Sequence, residues 1–133
     1  WDAATDGNQS SCVLQVEANG ERLWLTGDID AQTERALLSS GLAMPAQWLL
    51  APHHGSRSSS SAAFLAKVRP TAALFSRGAH NAFGHPHAEV VERYRALDVQ
   101  LYDSVVHGAV RIRLGAFEPA QGLRDHARFW REK

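Results

Sequence analysis

Residues 48–56, with the sequence Trp-Leu-Leu-Ala-Pro-His-His-Gly-Ser, decide the interpretation of the fold. The stretch starts with a short apolar run, which is typical of a strand buried in a sheet, and continues into two histidines. A tract of small polar residues, 57–61, follows them. A buried strand that passes directly into polar residues places them in a loop at the edge of the sheet. We therefore expect His53 and His54 to lie at a strand end.

Two further stretches have the same character. Residues 25–28 read Leu-Thr-Gly-Asp, and residues 81–87 read Asn-Ala-Phe-Gly-His-Pro-His. In each of them a side chain that can bind a metal ion follows a hydrophobic strand. The three stretches together predict that three strand ends converge on one site.

The rest of the sequence predicts a hairpin followed by alternating strands and helices. Asn19-Gly20 is a strong hairpin signal, and Asp30 is a predicted helix N-cap. The predicted elements are strands over 11–18 and 21–26, a helix over 31–40, a strand over 48–51, a helix begun by Ser59 or Ser60 and ended before Pro70, a strand over 71–76, a helix over 87–97, and strands over 99–102 and 109–114. This order predicts a single α/β domain over residues 1–133, with a mixed β-sheet and flanking helices.

The composition is that of an ordinary globular domain without overall charge. The chain has 133 residues, of which 44% are hydrophobic, and a formal net charge of zero, so its long-range field does not favour nucleic acids or anionic membranes. No apolar run approaches the roughly 18 residues of a membrane span. The single cysteine, Cys12, excludes an internal disulfide, and its strand-like surroundings predict a buried side chain. Because the first residue is Trp1 and not Met, we expect a piece of a longer protein.

Asp28 allows two interpretations. A carboxylate at a strand end can bridge two divalent cations, because its two oxygens are separate ligands. An aspartate at this position can also be an N-cap or a turn residue. Asp30 is well placed to cap the following helix, which leaves Asp28 free for another role.

The histidine pair also allows a structural and a functional interpretation. Adjacent side chains on an extended strand point in opposite directions, so we expect one of His53 and His54 to reach the site while the other packs beneath it or binds substrate. Neutral imidazole suits Zn, Mn or Fe, and protonated imidazole stabilises negative charge on a phosphoryl oxygen. Gly55 allows close backbone approach, and the hydroxyl or N–H of Ser56 can donate to an oxyanion.

His85 is the third candidate for the site. Pro86 favours an extended conformation at His85 and so fixes its side chain before the next helix begins. His87 is expected at the helix start as a surface or capping residue. Asn81 and Gly84 are expected in a turn, and Asn81 can also face a ligand.

Other kinds of site receive little support from the sequence. It contains no Gly-x-Ser-x-Gly nucleophile motif, no Walker loop and no dinucleotide-binding fingerprint. Two rows of arginines can either touch phosphates or form solvated faces. They are Arg111 and Arg113, and Arg124, Arg128 and Arg131 on a predicted terminal helix.

The order and spacing of four motifs resemble a known family. The motifs are Asn8-x-x-Ser11-x-Val13-Leu14, Leu25-Thr26-Gly27-Asp28, Pro52-His53-His54-Gly55-Ser56 and Asn81-Ala82-Phe83-Gly84-His85-Pro86. Over residues 6–114 the chain resembles the C-terminal half of the metallo-β-lactamase-like domain of the bacterial competence proteins called ComEC or Rec2. That domain is an αββα sandwich of two similar halves with a dinuclear metal site between the sheets. The resemblance implies that this chain forms one half of the sandwich.

The resemblance also implies roles for the motif residues. Asp28 is implied to be the metal-bridging aspartate and His85 a late terminal ligand, while His53 and His54 line the same site. The expected metal set is Asp28, His54 and His85, and the expected catalytic contacts come from His53, His54 and Ser56. The expected cofactor is a divalent metal, Zn or Mn, with two ions in the complete domain. The family's hallmark His-x-His-x-Asp-His is absent from this chain, so we expect weak metal binding and no activity of the chain alone.

The function, partners and location follow from the same resemblance. It implies a metal-dependent nuclease that degrades the DNA strand not imported during natural transformation. The expected partners are single-stranded DNA, the upstream half of the domain and the membrane channel of the same protein, and the apolar face of a half-sandwich also favours a homodimer. The expected location is the bacterial inner membrane, with this domain outside the cytoplasm. Two alternatives stay open: a non-catalytic module that binds DNA or a protein partner, and a stand-alone metallo-hydrolase of another phosphoester.

Overall fold

The structure, a computed structural model, describes residues 7–125. The strands are β1 (Leu14–Ala18), β2 (Glu21–Leu25), β3 (Trp48–Leu50), β4 (Ala72–Phe75), β5 (Gln100–Asp103), β6 (Val110–Arg111) and β7 (Gln121–Gly122). The helices are α1 (Ala31–Ser39), α2 (Ala62–Val68), α3 (Ala88–Arg95) and α4 (Ser104–His107), with 3-10 turns at Gly7–Ser10 and Pro52–Gly55. The predicted α/β fold, a hairpin followed by alternating strands and helices, is confirmed.

Strands β1 to β5 form one mixed sheet in the order in which they occur in the chain. β1 and β2 pair antiparallel through the turn at Asn19 and Gly20, and both of these residues have positive φ. β2 to β5 are parallel to one another, so their carboxyl ends meet at the same edge of the sheet. We call this the carboxyl edge, formed by the residues that follow Leu25, Leu50 and Phe75, and we call the opposite edge the amino edge.

Helices α1, α2 and α3 cover one face of the sheet. The sheet contributes Trp24, Leu49, Ala73 and Phe75 to this core. The helices contribute the apolar side chains Phe64, Leu65, Val68, Val90 and Tyr94, with Leu37 and Leu38 of α1 at the margin. Each large apolar side chain buried here contributes about 1.5–3 kcal/mol, so the core holds the strand ends in fixed relative positions.

The second face of the sheet is covered by the segment that follows α4. Trp48 and Tyr102 pack there against Val110, Ile112 and Leu114. The sequence predicted a strand over 109–114, but the structure forms only the short β6, which pairs with β7 in a separate two-stranded sheet. The alternation of apolar residues that suggested a strand is instead used to cover this face of the sheet.

The second face remains uncovered toward β1. Leu14 is 55% exposed and Val16 is also exposed, and both pair across the hairpin with residues of the same face. Cys12 precedes β1 and is exposed, so the prediction of a buried thiol is wrong. β1 is the edge strand of the five-stranded sheet.

The start of α2 also differs from the prediction. Its N-cap is Ser61, whose hydroxyl accepts the Phe64 N–H, and not Ser59 or Ser60. The hydroxyls of those two serines are already engaged: that of Ser59 donates to the Pro52 carbonyl, and that of Ser60 lies 2.9 Å from the Tyr94 hydroxyl.

Some predictions fall partly outside the described part of the chain. Of the C-terminal arginine row, Arg128 and Arg131 lie outside it, whereas Arg124 donates to the Val105 carbonyl. Within residues 7–125, no helix is both long enough and apolar enough to cross a membrane.

Candidate functional site

The loops after β2 and β3 are fastened to each other at the carboxyl edge. Thr26 is fully buried and its hydroxyl donates to the Leu50 carbonyl at 2.8 Å, which joins the ends of the two strands. The His53 N–H donates to the Gly27 carbonyl at 2.9 Å. These two bonds hold Asp28 beside the histidine pair.

Asp28 and His54 form the closest pair of candidate ligands. Nε2 of His54 lies 3.3 Å from Oδ1 of Asp28, and both side chains are about half exposed. Nδ1 of His54 lies 2.7 Å from the Ser76 carbonyl oxygen. A carbonyl oxygen only accepts, so Nδ1 must carry a proton, and the neutral ring then presents a lone pair from Nε2 to the carboxylate. Two acceptors this close need a proton or a cation between them.

His53 and His54 occupy a turn and not an extended strand end. Their φ angles are 50° and 56°, which places two consecutive non-glycine residues in the left-handed region. Such residues are destabilised by about 1–3 kcal/mol each and concentrate at functional sites. The expectation that adjacent side chains alternate, as on an extended strand, is therefore wrong, and the two rings lie 6.5 Å apart at an interplanar angle of 66°.

His53 contains a buried polar atom without a partner. Its Nδ1 makes no hydrogen bond within residues 7–125. An unpaired buried nitrogen costs free energy, and in native structures it often marks a position that pairs with a ligand or a proton. The His53 ring lies 5.7 Å from the His85 ring, so this nitrogen belongs to the same cluster.

His85 is held in the loop after β4 by the side chain of Asn81. Oδ1 of Asn81 accepts the His85 N–H at 2.8 Å, and its Nδ2 donates to the His85 carbonyl at 2.8 Å. The peptide bond between His85 and Pro86 is cis. Asn81 is therefore a turn residue that fixes the backbone of the candidate ligand. His87 occupies the N-cap position of α3 without capping it through its side chain.

Gly55 is the point where the second and third loops touch. A Cβ at this position would lie 2.5 Å from Cβ of Pro86, and its φ of +84° also favours glycine. The Gly55 carbonyl accepts the His87 N–H at 3.0 Å. The close backbone approach that Gly55 was predicted to allow is therefore an approach to the loop that carries Pro86.

The surroundings of His85 favour its neutral form. Burial lowers the pKa of His85, and the neighbouring imidazoles of His87, His53 and His54 lower it further, whereas Asp28 acts in the opposite direction. A neutral imidazole is the form that binds a metal ion.

The described residues do not fit a complete metal centre. Within residues 7–125, no group of three or more His, Cys, Asp or Glu side chains is close enough together to hold an ion. Of the expected metal set, Asp28 and His54 are in contact, and His85 stands beside His53. Two donors do not fix a metal ion firmly, because affinity depends on the number of ligands and their geometry.

Ser56 lies next to the pair but has other contacts. Its N–H donates to the His53 carbonyl at 2.9 Å, which closes the turn. Its hydroxyl lies 3.1 Å from the Ser58 hydroxyl. The N–H is therefore engaged, and the hydroxyl is the part of Ser56 that can reach a substrate.

A buried polar network supports the loop after the histidines. The carboxylate of Glu34, which is fully buried, accepts the N–H groups of Ser60 at 2.6 Å and Ser61 at 2.8 Å. Arg93 donates to the carbonyls of Ser59 and Ser60. Burial raises the pKa of Tyr94, so its hydroxyl stays protonated beside Ser60. No sequence pattern marks Glu34 as buried, because a charged residue in a helix is usually exposed.

An open cavity of about 260 Å³ adjoins His54 and His85. Arg77 and Phe83 also line it, and neither was singled out from the sequence. Nε of Arg77 donates to Asp103 at 2.7 Å. By contrast, Arg111 and Arg113 are exposed residues of the covering segment, and Arg113 lies near Glu118.

Comparison with known proteins identifies the relatives of this chain. It is 40% identical over 130 residues, 96% of its length, to competence protein ComA of Neisseria gonorrhoeae. It is 33% identical over 79% of its length to recombination protein 2 of Haemophilus influenzae, and 29% identical over 80% to ComE operon protein 3 of Bacillus subtilis. The chain is homologous to one segment of the ComEC/Rec2 family.

The resemblance to ComEC/Rec2 inferred from the four motifs is therefore confirmed. The chain covers 19%, 13% and 14% of the ComA, recombination protein 2 and ComE operon protein 3 chains, so it spans less than a fifth of each. No protein-family model matches the chain. The mixed five-stranded sheet with helices on one face agrees with one half of the αββα sandwich expected for ComEC/Rec2.

Proposed function

We propose that this chain is part of a metal-dependent hydrolase domain that cleaves single-stranded DNA during natural transformation, where it degrades the strand that is not imported. The names of its relatives connect them with competence and recombination. The protein that carries this domain would lie in the bacterial inner membrane beside its DNA channel, with the domain outside the cytoplasm.

The contact between Asp28 and His54 is the observation that carries the proposal. The Ser76 carbonyl fixes the His54 ring so that Nε2 faces the carboxylate. A carbonyl that orients a metal-binding histidine through its other nitrogen is a recurrent feature of metal sites.

This arrangement is half of a site. Asp28 and His54 offer two donors, and His85, whose lowered pKa favours the neutral ring, stands at the same edge. His53 would contribute to the same site, where its buried Nδ1 makes no hydrogen bond within residues 7–125. Further metal donors, for Zn or Mn, would come from the other half of the sandwich, so we expect the chain alone to be inactive.

The test is cleavage of labelled single-stranded DNA in the presence of Mn²⁺ or Zn²⁺. Two proteins are compared: this chain, and this chain joined behind the segment that precedes the matched region in gonococcal ComA. We expect cleavage only by the longer chain, with a loss of about 100-fold or more in its Asp28→Asn variant. Asp98→Asn is the matched control, because it removes the same charge from the exposed loop between α3 and β5, at the amino edge.

The absence of a complete ligand set within residues 7–125 also favours a second candidate, a non-catalytic module that binds DNA or a protein partner. Tight DNA binding by the longer chain without metal-dependent cleavage would establish that alternative. Cleavage of a small phosphodiester but not of DNA would indicate a hydrolase of another phosphoester. Cleavage that is unchanged in Asp28→Asn would overturn the proposed role of this residue.

A further inference from the structure

Phe83 stands at the margin of the cavity beside His54 and is 76% exposed. No other large hydrophobic side chain in residues 7–125 is more exposed. A single exposed apolar residue is common in proteins and assigns nothing by itself. Phe83, however, lines the same cavity as two candidate ligands of the site, His54 and His85.

The ring of Phe83 is held in a defined orientation. It stacks on the His85 ring with centroids 5.7 Å apart and an interplanar angle of 27°. The turn that carries it is closed by the two hydrogen bonds between Asn81 and the His85 backbone, and by a bond from the Gly84 N–H to the Asn81 carbonyl. One face of the ring therefore lies on His85, and no other ring in the described part of the chain covers the opposite face.

A positively charged side chain lines the same cavity. Arg77 lines it, and its guanidinium is fixed at Nε by Asp103, while its terminal nitrogens make no hydrogen bond within residues 7–125. The main chain of Arg77 is anchored as well, because the Ser104 hydroxyl accepts its N–H and donates to its carbonyl. Proteins that bind single strands combine cationic groups for the backbone with aromatic rings on which bases stack.

We propose that Phe83 forms a nucleobase subsite, in which the free face of its ring stacks on one base of a single strand whose backbone passes Arg77 and the Asp28–His54 pair. This inference rests on the proposed function in one respect, namely that single-stranded DNA is the substrate. Bases in a duplex are stacked and paired, so the subsite selects single strands. It tolerates any base, because every base has a π-face.

The test compares the binding of two fluorescent oligonucleotides by anisotropy, in the presence of EDTA so that no strand is cut. One is oligothymidylate, and the other has the same length and phosphates but abasic sugars. Both this chain and the longer chain are titrated. We expect Phe83→Ala to weaken thymidylate binding about tenfold or more, and to leave abasic binding unchanged.

Three variants separate stacking from other roles of Phe83. Phe83→Trp retains an aromatic face and should restore binding. Phe83→Leu retains apolar bulk without such a face and should behave like Phe83→Ala. Phe117→Ala is the matched control, because Phe117 is 60% exposed and its N–H contacts Glu21 at the amino edge.

The inference is overturned if Phe83→Ala weakens both oligonucleotides equally, if Phe83→Leu binds like the wild type, or if neither wild-type protein prefers the strand with bases. Its failure can be distinguished from failure of the proposed function. Metal-dependent cleavage that is indifferent to Phe83 would retain the hydrolase and remove the subsite. Base-dependent binding without any cleavage would retain the subsite and remove the hydrolase.

Discussion

Two carboxylates, Glu21 at the start of strand β2 and Asp28 in the loop that follows it, lie in opposite environments. Glu21, at the amino edge, is 2% exposed and accepts three hydrogen bonds, from the Trp48 indole at 2.7 Å and from the N–H groups of Gly115 and Phe117. Asp28, at the carboxyl edge, is about half exposed, and its Oδ1 lies 3.3 Å from Nε2 of His54. The buried carboxylate has hydrogen-bond donors from this chain, whereas the exposed carboxylate is accessible to a ligand.

The backbone shows the same contrast. At the amino edge, the left-handed residues Asn19 and Gly20 form an ordinary hairpin turn with open space around Gly20. At the carboxyl edge, His53 and His54 adopt left-handed angles, and Gly55 fits tightly against the next loop. The amino edge therefore contributes to stability, whereas the carboxyl edge contains strained backbone at the candidate site.

The largest expected effect on the free energy of unfolding comes from replacing a glycine with alanine at each edge. Both Gly55 and Gly20 have φ above +80°, but only a Cβ at Gly55 would collide with Pro86. We expect Gly55→Ala to lower the free energy of unfolding by about 3 kcal/mol, the sum of backbone strain and overpacking, and Gly20→Ala by about 1 kcal/mol. Urea unfolding measures both, and equal losses would contradict the difference between the edges.

Exchanging the two carboxylates for amides is expected to have the next largest effect. Glu21→Gln should lower the free energy of unfolding by about 2 kcal/mol, because charge-assisted hydrogen bonds from three donors to this buried carboxylate are weakened. Asp28→Asn should change it by less than about 0.5 kcal/mol, because the side chain is about half exposed and its contact with His54 is 3.3 Å long. Thermal unfolding of both variants tests this, and a strongly destabilised Asp28→Asn would show that its role is structural.

The stability provided by Glu21 should depend on pH. Burial raises the pKa of Glu21, but hydrogen bonds from Trp48, Phe117 and Gly115 outweigh burial, and the pKa lies below its usual value. Because the folded state has the lower pKa, the contribution is complete above the unfolded value of about 4.3 and is lost as the pH falls through the folded pKa. The difference between wild type and Glu21→Gln in urea unfolding should therefore shrink below about pH 4. A difference that stays constant down to pH 3 would contradict this.

The smallest expected effect is at the loop that holds Asp28. Its N–H donates to the Ser11 hydroxyl at 3.2 Å, a long bond in a partly exposed position. Ser11→Ala should lower the free energy of unfolding by about 0.5–1 kcal/mol. Ser39→Ala, which removes an exposed helix hydroxyl, should change it by less than about 0.5 kcal/mol and serves as the control in the same urea titration.

Local signals in the sequence predicted much of the fold. Asn19-Gly20 formed the expected turn, and Asp30 caps α1 by accepting the N–H groups of Gln32 and Thr33. These are interactions between residues close in sequence, so the residue type almost determines the conformation. The meeting of the loops after β2, β3 and β4 at one edge follows equally directly from strands that are parallel.

The predictions that were wrong failed because of contacts between residues that are distant in the sequence. The segment over 109–114 has a strand-like alternation, but it packs across the face of the sheet because Trp48 and Tyr102 require cover there. Cys12 resembles a buried residue, but it lies just before the edge strand and is exposed. At the site, the residue types of Asp28, His54 and His85 were informative. The left-handed turn at His53 and His54 depends on bonds to distant residues, Gly27 among them, that no local pattern reveals.

That turn has a consequence for protein design. The positions of the two imidazoles depend on consecutive left-handed backbone angles at His53 and His54, and the His54 ring is fixed further by the Ser76 carbonyl. A His-His dipeptide transplanted into an extended strand would retain its chemistry and lose its geometry. A graft of this site must therefore include the whole Pro52–Gly55 turn and the two loops that are hydrogen-bonded to it. The segment to transfer is the carboxyl edge of the sheet.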